Sequence, residues 1–199
     1  MDYDKQLGID TRQRDGRFPQ QAGCHRYEAT PYSCLDTLFM EIKIPRKSRL
    51  VDFGCGKGRV PMFFHYLTGS EAVGIDMDMA LCDEARVNLA NFCAVRKKAL
   101  EKIQFFCCMA QEYKVQPQDD LFYFFNPFSV GIFSTVVGNI LASYGEHPRH
   151  IRIMLYYPSN EYLQYLDRYT PFELEHEISL PGNSVDEREC FSIWGMGEN

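Results

Sequence analysis

The chain has 199 residues, of which 45% are hydrophobic and 14% aromatic, so it is long and apolar enough to form one globular domain with a buried core. Twenty-one basic residues stand against 27 acidic ones, giving a net charge of −6, which disfavours a broad surface for nucleic-acid phosphates and leaves room only for a local basic patch. The eight cysteines form no Cys-x-x-Cys pair and show no zinc-ligand spacing with histidine, so we expect reduced thiols, no metal site and a cytoplasmic protein. The first residues are charged and carry no apolar signal segment, and no apolar run is long and unbroken enough to predict a membrane span.

Residues 1–26 are polar and carry arginines among acids and glycines. This composition predicts an extended or loosely helical arm. From Pro31, apolar residues recur at helical spacing until Ile42, and Pro45 ends the helix. We therefore assign residues 1–45 to an N-terminal arm and helix that covers a site or contacts substrate, and residues 46–199 to the main domain.

Strands and helices alternate through the main domain. Strands are predicted over residues 50–53, 72–75, 103–108, 121–125 and 151–157. Helices are predicted over residues 60–67, 79–99, 130–144 and 160–168. Residues 172–180 and 190–194 alternate enough to form a final antiparallel strand pair around the turn Pro181-Gly182-Asn183. The pattern predicts a three-layer α/β fold, with a mostly parallel seven-stranded sheet, helices on both faces and a C-terminal antiparallel strand pair.

A glycine-rich loop follows the first strand of this domain. Gly54, Gly56 and Gly58 form the pattern G-x-G-x-G, and Arg59 stands where a dinucleotide-binding fold has its third glycine. An oxidoreductase of the dinucleotide type is therefore disfavoured. Lys57 and Arg59 flank the last glycine, where they either meet a cofactor carboxylate or an anionic acceptor, or are simply solvated.

Two acids end the first two strands of the domain. Asp52 lies just before the glycine loop, where a carboxylate would repel a pyrophosphate but suits a cationic ligand or a water network around one. Asp76 lies about where a carboxylate accepts hydrogen bonds from both hydroxyls of a ribose, and Asp78 is the nearby alternative. Together with the glycine loop, the acids point to a nucleoside that carries a positive charge.

The runs Asp52-Phe53-Gly54-Cys55-Gly56-Lys57-Gly58 and Val73-Gly74-Ile75-Asp76 resemble the motifs of class I S-adenosylmethionine-dependent methyltransferases. The resemblance implies a Rossmann-like fold, S-adenosylmethionine as cofactor, and a cofactor-binding methyltransferase domain over residues 46–199. By the family's pattern, the glycines would pack against the methionine portion of the cofactor, and Asp76 would hold its ribose. The cofactor-binding residues that the resemblance implies are Asp52, Gly54, Cys55, Gly56, Gly58, Asp76, Met77, Met109, Ala110 and Asn126.

The segment after the third strand departs from the family's pattern. Ala110 fits the small residue that the family often has beside adenine, but Met109 stands where an aspartate is common. Adenine would then be held by apolar contact with Met109 and by a hydrogen bond from Gln111 or a backbone amide.

The fourth strand ends in Phe124-Phe125-Asn126-Pro127-Phe128. This run is similar to the Asn/Asp-Pro-Pro-Tyr/Phe motif of methyltransferases that act on adenine amino groups or glutamine side chains, but it has only one proline. The resemblance implies that Asn126 is a catalytic residue and that Phe128 contacts substrate. The alternative is an Asn-Pro turn with Phe128 in the core. The run also resembles seven-strand histone-lysine methyltransferases, in which an apolar strand ends in an asparagine beside the transferred methyl group.

The run Tyr27-Glu28-Ala29-Thr30-Pro31-Tyr32 resembles a Tyr-x-Pro-Thr-Pro stretch of bacterial proteins of this type. The resemblance implies a lid over the cofactor, with Tyr27 as a catalytic residue near the methyl group and Tyr32 near the substrate; His25 lies in the same segment. A simpler interpretation is a helix start with Thr30 as N-cap and Pro31 at the first helical position. The two interpretations are compatible.

Methyl transfer from a sulfonium is a direct displacement that depends mainly on positioning. It needs no general base when the nucleophile is a neutral amine or a thiol. The sequence therefore predicts an S-adenosylmethionine-dependent methyltransferase that acts on a small-molecule or protein amine. The alternative is a non-catalytic S-adenosylmethionine-binding protein that serves regulation or a complex. The chain shows no separate substrate domain, so we expect no long nucleic acid and no membrane as partner.

Overall fold

The structure is a computed structural model that describes residues 2–12, 27–45, 47–96 and 102–198. Seven strands form one sheet in the order β3-β2-β1-β4-β5-β7-β6. They are β1 Arg49–Phe53, β2 Glu71–Asp76, β3 Ile103–Cys107, β4 Asp119–Phe124, β5 Ile151–Tyr156, β6 Glu173–Ser179 and β7 Cys190–Met196. The first five run parallel, and β7 pairs antiparallel with β5 and with β6.

Six α-helices accompany the strands in the described residues. They are α1 Tyr3–Leu7, α2 Tyr32–Glu41, α3 Arg59–Thr68, α4 Met79–Arg96, α5 Val130–Glu146 and α6 Asn160–Tyr169, with a 3-10 turn over Ala110–Glu112. None of the helices in the described parts of the chain is long and apolar enough to cross a membrane.

The core has two halves, one on each face of the sheet. Alternation along β1 places Leu50 with helices α1 to α4, whereas Val51 and Phe53 pack with α5 and α6. Side chains of one strand thus reach both helical layers, which is why strand β1 is buried along its whole length. By the same alternation, Asp52 lies on the side of α1 to α4.

The predicted α/β sheet and its strand pair are confirmed. The arm differs from the prediction, because Tyr3–Leu7 forms a regular helix that Asp2 caps through its side chain and Gly8 ends in the left-handed conformation. Helix α4 is described to Arg96, so the predicted continuation to residue 99 lies outside the described residues. The turn predicted at 181–183 is part of a longer loop that ends where β7 begins.

The prediction that Thr30 caps helix α2 is wrong. Pro31 occupies the N-cap position without a side-chain bond, and the hydroxyl of Thr30 lies 2.8 Å from that of Tyr123. Both residues are buried, and a buried hydroxyl needs a partner more than an exposed helix end does. His25, in the same predicted lid, lies outside the described residues.

Candidate functional site

The glycine loop is a tight turn between β1 and α3. Gly54, Gly56 and Gly58 have φ values of 80°, 52° and 82°, in the region where only glycine is free of strain. The amides of Gly54 and Cys55 donate to the carbonyl of Ile75, at 2.8 and 3.0 Å. The turn is therefore fixed to the end of the neighbouring strand β2.

Missing side chains let two other segments approach this turn. A Cβ at Gly54 would come within 2.6 Å of the Cβ of Pro127, and one at Gly56 would overlap the ring of Tyr27. Gly54 is exposed, whereas Gly56 is buried. In this arrangement, Tyr27 covers the centre of the turn and leaves its first glycine accessible to a ligand.

Asp76 joins the end of β2 to the turn. Its carboxylate accepts hydrogen bonds from the amides of Gly56 at 2.8 Å and Asp78 at 2.9 Å. Burial raises the pKa of Asp76, while these amides oppose the rise. Asp76 is partly exposed, and an ionised carboxylate has about four lone-pair sites, so it can still accept a ligand hydroxyl. Asp78 instead bonds the amide of Ala80 at the start of α4.

Asp52 is buried beneath the same region. Burial raises the pKa of Asp52 well above its ordinary value, and the negative charge of Asp76 raises it further. A positive charge bound nearby would stabilise the ionised form of Asp52. The pair of carboxyls therefore favours a cation over an anion at this end of the sheet.

The segment after β3 lies beside the end of β2. The amide of Cys108 donates to the carbonyl of Asp76 at 3.0 Å. Met109 is exposed, and Met77 and Ala110 are partly exposed, so all three are open to contact. The carbonyl of Gln111 accepts from the side chain of Asn139 on α5, which fixes this segment against the second helical layer. Cys55, in contrast, is buried within the turn.

Asn126 follows β4 in the left-handed conformation, with a φ of 40°. Asparagine tolerates this region better than most residues. Pro127 then packs on Gly54. Phe128 is only 5% exposed, and its ring meets Phe124 edge-on at 6.1 Å. Phe128 thus lies in the core, whereas Asn126, in the turn after β4, is partly exposed to solvent.

The aromatic residues of the predicted lid contact the N-terminal segment. The hydroxyl of Tyr27 donates to the carbonyl of Thr11 at 2.7 Å, and that of Tyr32 donates to Asp4. Burial raises the pKa of Tyr27, against the opposing influence of Arg59, so its hydroxyl stays protonated. Tyr27 can therefore position a ligand or donate a hydrogen bond, but it is not suited to act as a base.

Lys57 and Arg59 are not solvated, so that interpretation of the sequence was wrong. Lys57 is 1% exposed, and its ammonium group contacts Glu84 at 3.0 Å and the carbonyl of Arg12 at 2.9 Å. Arg59 donates to the hydroxyl of Thr11 at 2.7 Å and to the carbonyl of Thr30 at 3.0 Å. The two cations hold residues 2–12 over the turn.

Asn88, which the sequence analysis did not single out, fastens the same segment to α4. Its side-chain amide donates to the carbonyls of Lys57 and Asp10, and its oxygen accepts from the amide of Asp10 at 3.0 Å. The sequence signal for Asn88 is its helical spacing, since it lies three positions after Ala85 and four before Phe92, on the buried face of α4. A polar residue on such a face needs a polar partner. We call residues 2–12 the N-terminal strap.

Within the described residues, no three His, Cys, Asp or Glu side chains are grouped as metal ligands. No protein-family model and no curated protein sequence matches the chain. Several solved structures, in contrast, are similar to the chain in fold. An RNA methyltransferase from Salinibacter ruber in complex with S-adenosyl-L-homocysteine is 16% identical, with a TM-score of 0.61 over 86% of this chain and 95% of that one.

Two further solved structures are similar. A methyltransferase from Thiobacillus denitrificans, dependent on S-adenosylmethionine and in complex with S-adenosyl-L-homocysteine, is 14% identical, with a TM-score of 0.57 over 85% of this chain and 92% of that one. A TehB-like methyltransferase of the same dependence from Corynebacterium glutamicum is 16% identical, with a TM-score of 0.56 over 83% and 86%. At these identities the likeness is one of fold. The chain has the class I, Rossmann-like fold of S-adenosylmethionine-dependent methyltransferases.

Proposed function

We propose that the protein is an S-adenosylmethionine-dependent methyltransferase whose acceptor is a small-molecule or protein amine. The observation that carries the proposal is Asp76, a partly exposed carboxylate that ends β2 and bonds the amide of Gly56. A carboxylate in this position would accept hydrogen bonds from ribose hydroxyls beside the glycine turn. Solved structures of the same fold hold S-adenosyl-L-homocysteine, which supports the same cofactor here.

The residues at this end of the sheet fit such a cofactor. Asp76 would hold the ribose, and the open face of Gly54 would take the methionine portion. The buried carboxyl of Asp52 favours a positive charge nearby. Apolar contact for adenine would come from Met77, Met109 and Ala110. Cys55 is buried within the glycine turn, so it would maintain the conformation of the turn without contacting the cofactor. When bound, S-adenosylmethionine would supply an electrophilic methyl group on a positively charged sulfur.

Acceptor residues are proposed from the turn after β4 and from the cover over the glycine loop. Asn126, partly exposed and held by Pro127 against Gly54, would orient the acceptor. Tyr27, with its protonated hydroxyl, would exclude water from the centre of the turn, and contact of a ligand with Gly56 would need Tyr27 to move. Tyr32 would support Tyr27 through the strap, and Phe128 would support Asn126 from the core. Residues 1–45 would then act as the lid.

The charge of the protein disfavours a long nucleic acid as the methyl acceptor. The chain carries a net charge of −6, and the carboxyls of Asp52 and Asp76 lie at the binding end of the sheet. Phosphates would be repelled there. The seven cysteines of the described residues are free, which supports a reducing compartment, and we propose the cytoplasm.

Calorimetry with S-adenosylhomocysteine and with NAD tests the cofactor. We expect the first to bind and the second not to bind. Asp76→Ala removes two charge-assisted bonds of roughly 1.5–3 kcal/mol each, so affinity should fall by roughly a hundredfold or more. Asp83→Ala is the control, because Asp83 is an exposed acid that pairs with Arg86 on the surface of α4. Equal affinity of both variants would refute the ribose assignment.

Turnover separates an enzyme from a binding protein. Radiolabelled S-adenosylmethionine would be incubated with the protein and with extracts that contain either small molecules, proteins or RNA. We expect label in the small-molecule or protein fraction. Label in RNA would overturn the acceptor proposal, and binding without transfer to any fraction would favour a non-catalytic role.

A further inference from the structure

A cavity lies at the carboxyl end of β5, beside the turn that carries Asn126. Its volume is about 440 Å³, within the usual range for small-ligand sites. One wall comes from the start of α2, and the opposite wall from the loop between β6 and β7. That loop reaches the end of β5 because Tyr156 pairs with Phe191 at the start of β7.

Tyr156 and Glu189 supply polar groups to the lining of the cavity. Tyr156 is only 3% exposed, and its hydroxyl lies 3.4 Å from a carboxylate oxygen of Glu189 and 3.9 Å from the sulfur of Cys34. The contact with Glu189 is long for a hydrogen bond between two oxygens, which is normally 2.5–3.0 Å. A ligand with N–H donors could therefore bond to both oxygens without displacing a strong internal bond.

Two acids line the cavity, Asp186 and Glu189, and they differ in whether a cationic side chain pairs with them. Asp186 is neutralised by Arg188 at 3.1 Å and also accepts from the hydroxyl of Tyr157. Over the described ranges, no cationic side chain pairs with Glu189. The site thus has one carboxylate whose natural counter-ion would be a ligand.

The surrounding charge and lining agree with such a ligand. Residues 173–189 contain six acids against one arginine and one histidine, so the local potential favours cations and disfavours phosphates or carboxylates. Pro31, Pro181 and Val185 supply apolar walls. A cationic head and an apolar wall together suit an alkylammonium group.

Tyr156, which lines the cavity, also contacts the residue that precedes Asn126. The ring of Phe125, immediately before Asn126, packs on that of Tyr156 with centroids 4.5 Å apart. Asn126 and Tyr157 end neighbouring strands, and both have positive φ, 40° and 49°. A tyrosine in this region is a genuine outlier, and such strain is concentrated at functional sites. Arg188 holds Tyr157 in place by a bond of 2.7 Å to its hydroxyl.

We propose that this cavity is the acceptor-binding site and that it recognises an alkylammonium group, which pairs with Glu189 and bonds to the hydroxyl of Tyr156. The proposal rests on the methyltransferase function proposed above and narrows its acceptor to a molecule with an aliphatic amino group. The group is bound as the ammonium and loses one proton to solvent, and the neutral nitrogen then attacks the methyl group as the bond from that methyl to sulfur breaks. Two sources share this chemistry, a small aliphatic amine and a lysine side chain of a protein.

Titration calorimetry on the full chain saturated with S-adenosylhomocysteine tests the proposal. The probes are 1,4-diaminobutane for a small amine and Nα-acetyl-lysine N-methylamide for a protein lysine, with butane-1,4-diol as the uncharged control. We expect at least one amine to bind and the diol not to bind. Binding of the diamine alone assigns a small-molecule source, and binding of the lysine compound alone assigns a protein source. Equal binding of amines and diol would overturn the proposal.

Matched variants localise the binding. Glu189→Gln should weaken amine binding roughly tenfold or more, because a charge-assisted bond is lost, and Tyr156→Phe should weaken it less. Glu187→Gln makes the same charge change at an exposed residue of the same loop that does not line the cavity, and it should leave affinity unchanged. Equal losses at 187 and 189 would mean nonspecific attraction and would refute the site. If S-adenosylhomocysteine itself does not bind, the proposed function fails; if it binds and the amines do not, only this inference fails.

Discussion

Arg59 offers a direct test of whether the N-terminal strap is held by specific polar contacts. The substitution Arg59→Gln shortens the side chain and removes its charge. It abolishes the fork of bonds to the Thr11 hydroxyl and the Thr30 carbonyl. It also leaves Asp4 without the guanidinium that lies 3.7 Å away. Both partners of that ion pair are largely buried, since their side chains are 12% and 8% exposed.

The expected cost follows from these contacts. Removing one partner of a buried ion pair costs about 3–5 kcal/mol, because the other charge loses its compensation. Asp4 keeps hydrogen bonds from the amide and the hydroxyl of Thr11, so we expect the lower end, about 3 kcal/mol. For a chain of this length the midpoint of thermal unfolding should fall by about 6–12 °C.

Urea unfolding followed by circular dichroism measures the loss, and Arg12→Gln is the matched control. Arg12 lies in the same strap and pairs with Asp10 at 3.1 Å, but its side chain is 75% exposed, so its loss should cost much less than the loss of Arg59. The carbonyl that Lys57 contacts is a backbone group and is kept in this variant. If Arg59→Gln costs no more than Arg12→Gln, the strap is not held by the contacts described.

Three further substitutions probe the site. Asp52→Asn removes a buried carboxyl whose raised pKa makes the native state bind its proton more tightly than the unfolded chain does, so wild-type stability falls as pH rises from the ordinary aspartate pKa of about 3.9 towards the raised value. Urea unfolding at about pH 5 and about pH 8 should show a smaller fall in the variant, and equal falls would contradict the burial argument. Gly56→Ala would place a methyl group in the ring of Tyr27 at a φ of 52°, so we expect a loss of at least about 1–2 kcal/mol in the same assay, and wild-type stability would show that the cover is not seated on the turn. Asn126→Gly preserves the positive φ and should keep S-adenosylhomocysteine binding while losing methyl transfer; retained transfer would remove Asn126 from the site.

The strands of the sheet and the glycine turn could be predicted because their signals are local. The strand predicted over residues 50–53 is buried on both faces in the structure, and such burial is typical of a central parallel strand. Gly54 and Asp76 were recognisable by their spacing at the ends of two such strands. The structure then supplied the bond from the amide of Gly56 to Asp76 that gives the spacing its physical meaning.

The strap could not be predicted, because its contacts are between residues far apart in the chain. Nothing around Arg59 marks it as the partner of Thr11 and Asp4, and an isolated arginine is more often solvated. The prediction that Thr30 caps α2 failed for a related reason. Its position before a proline suits a helix cap, but burial against Tyr123 gave the hydroxyl a tertiary partner instead.

The strap also has a consequence for the order of assembly during synthesis. Arg59 follows Thr11 by 48 residues, and Asn88 follows Asp10 by 78. The ribosome therefore releases the segment that covers the glycine turn well before it makes the helix to which that segment is fastened. Closing such long loops is slow relative to local structure formation. The N-terminal strap is thus translated before α3 and α4 and is among the last segments to pack in its native position. Ligand binding should therefore report completed folding of the nascent chain.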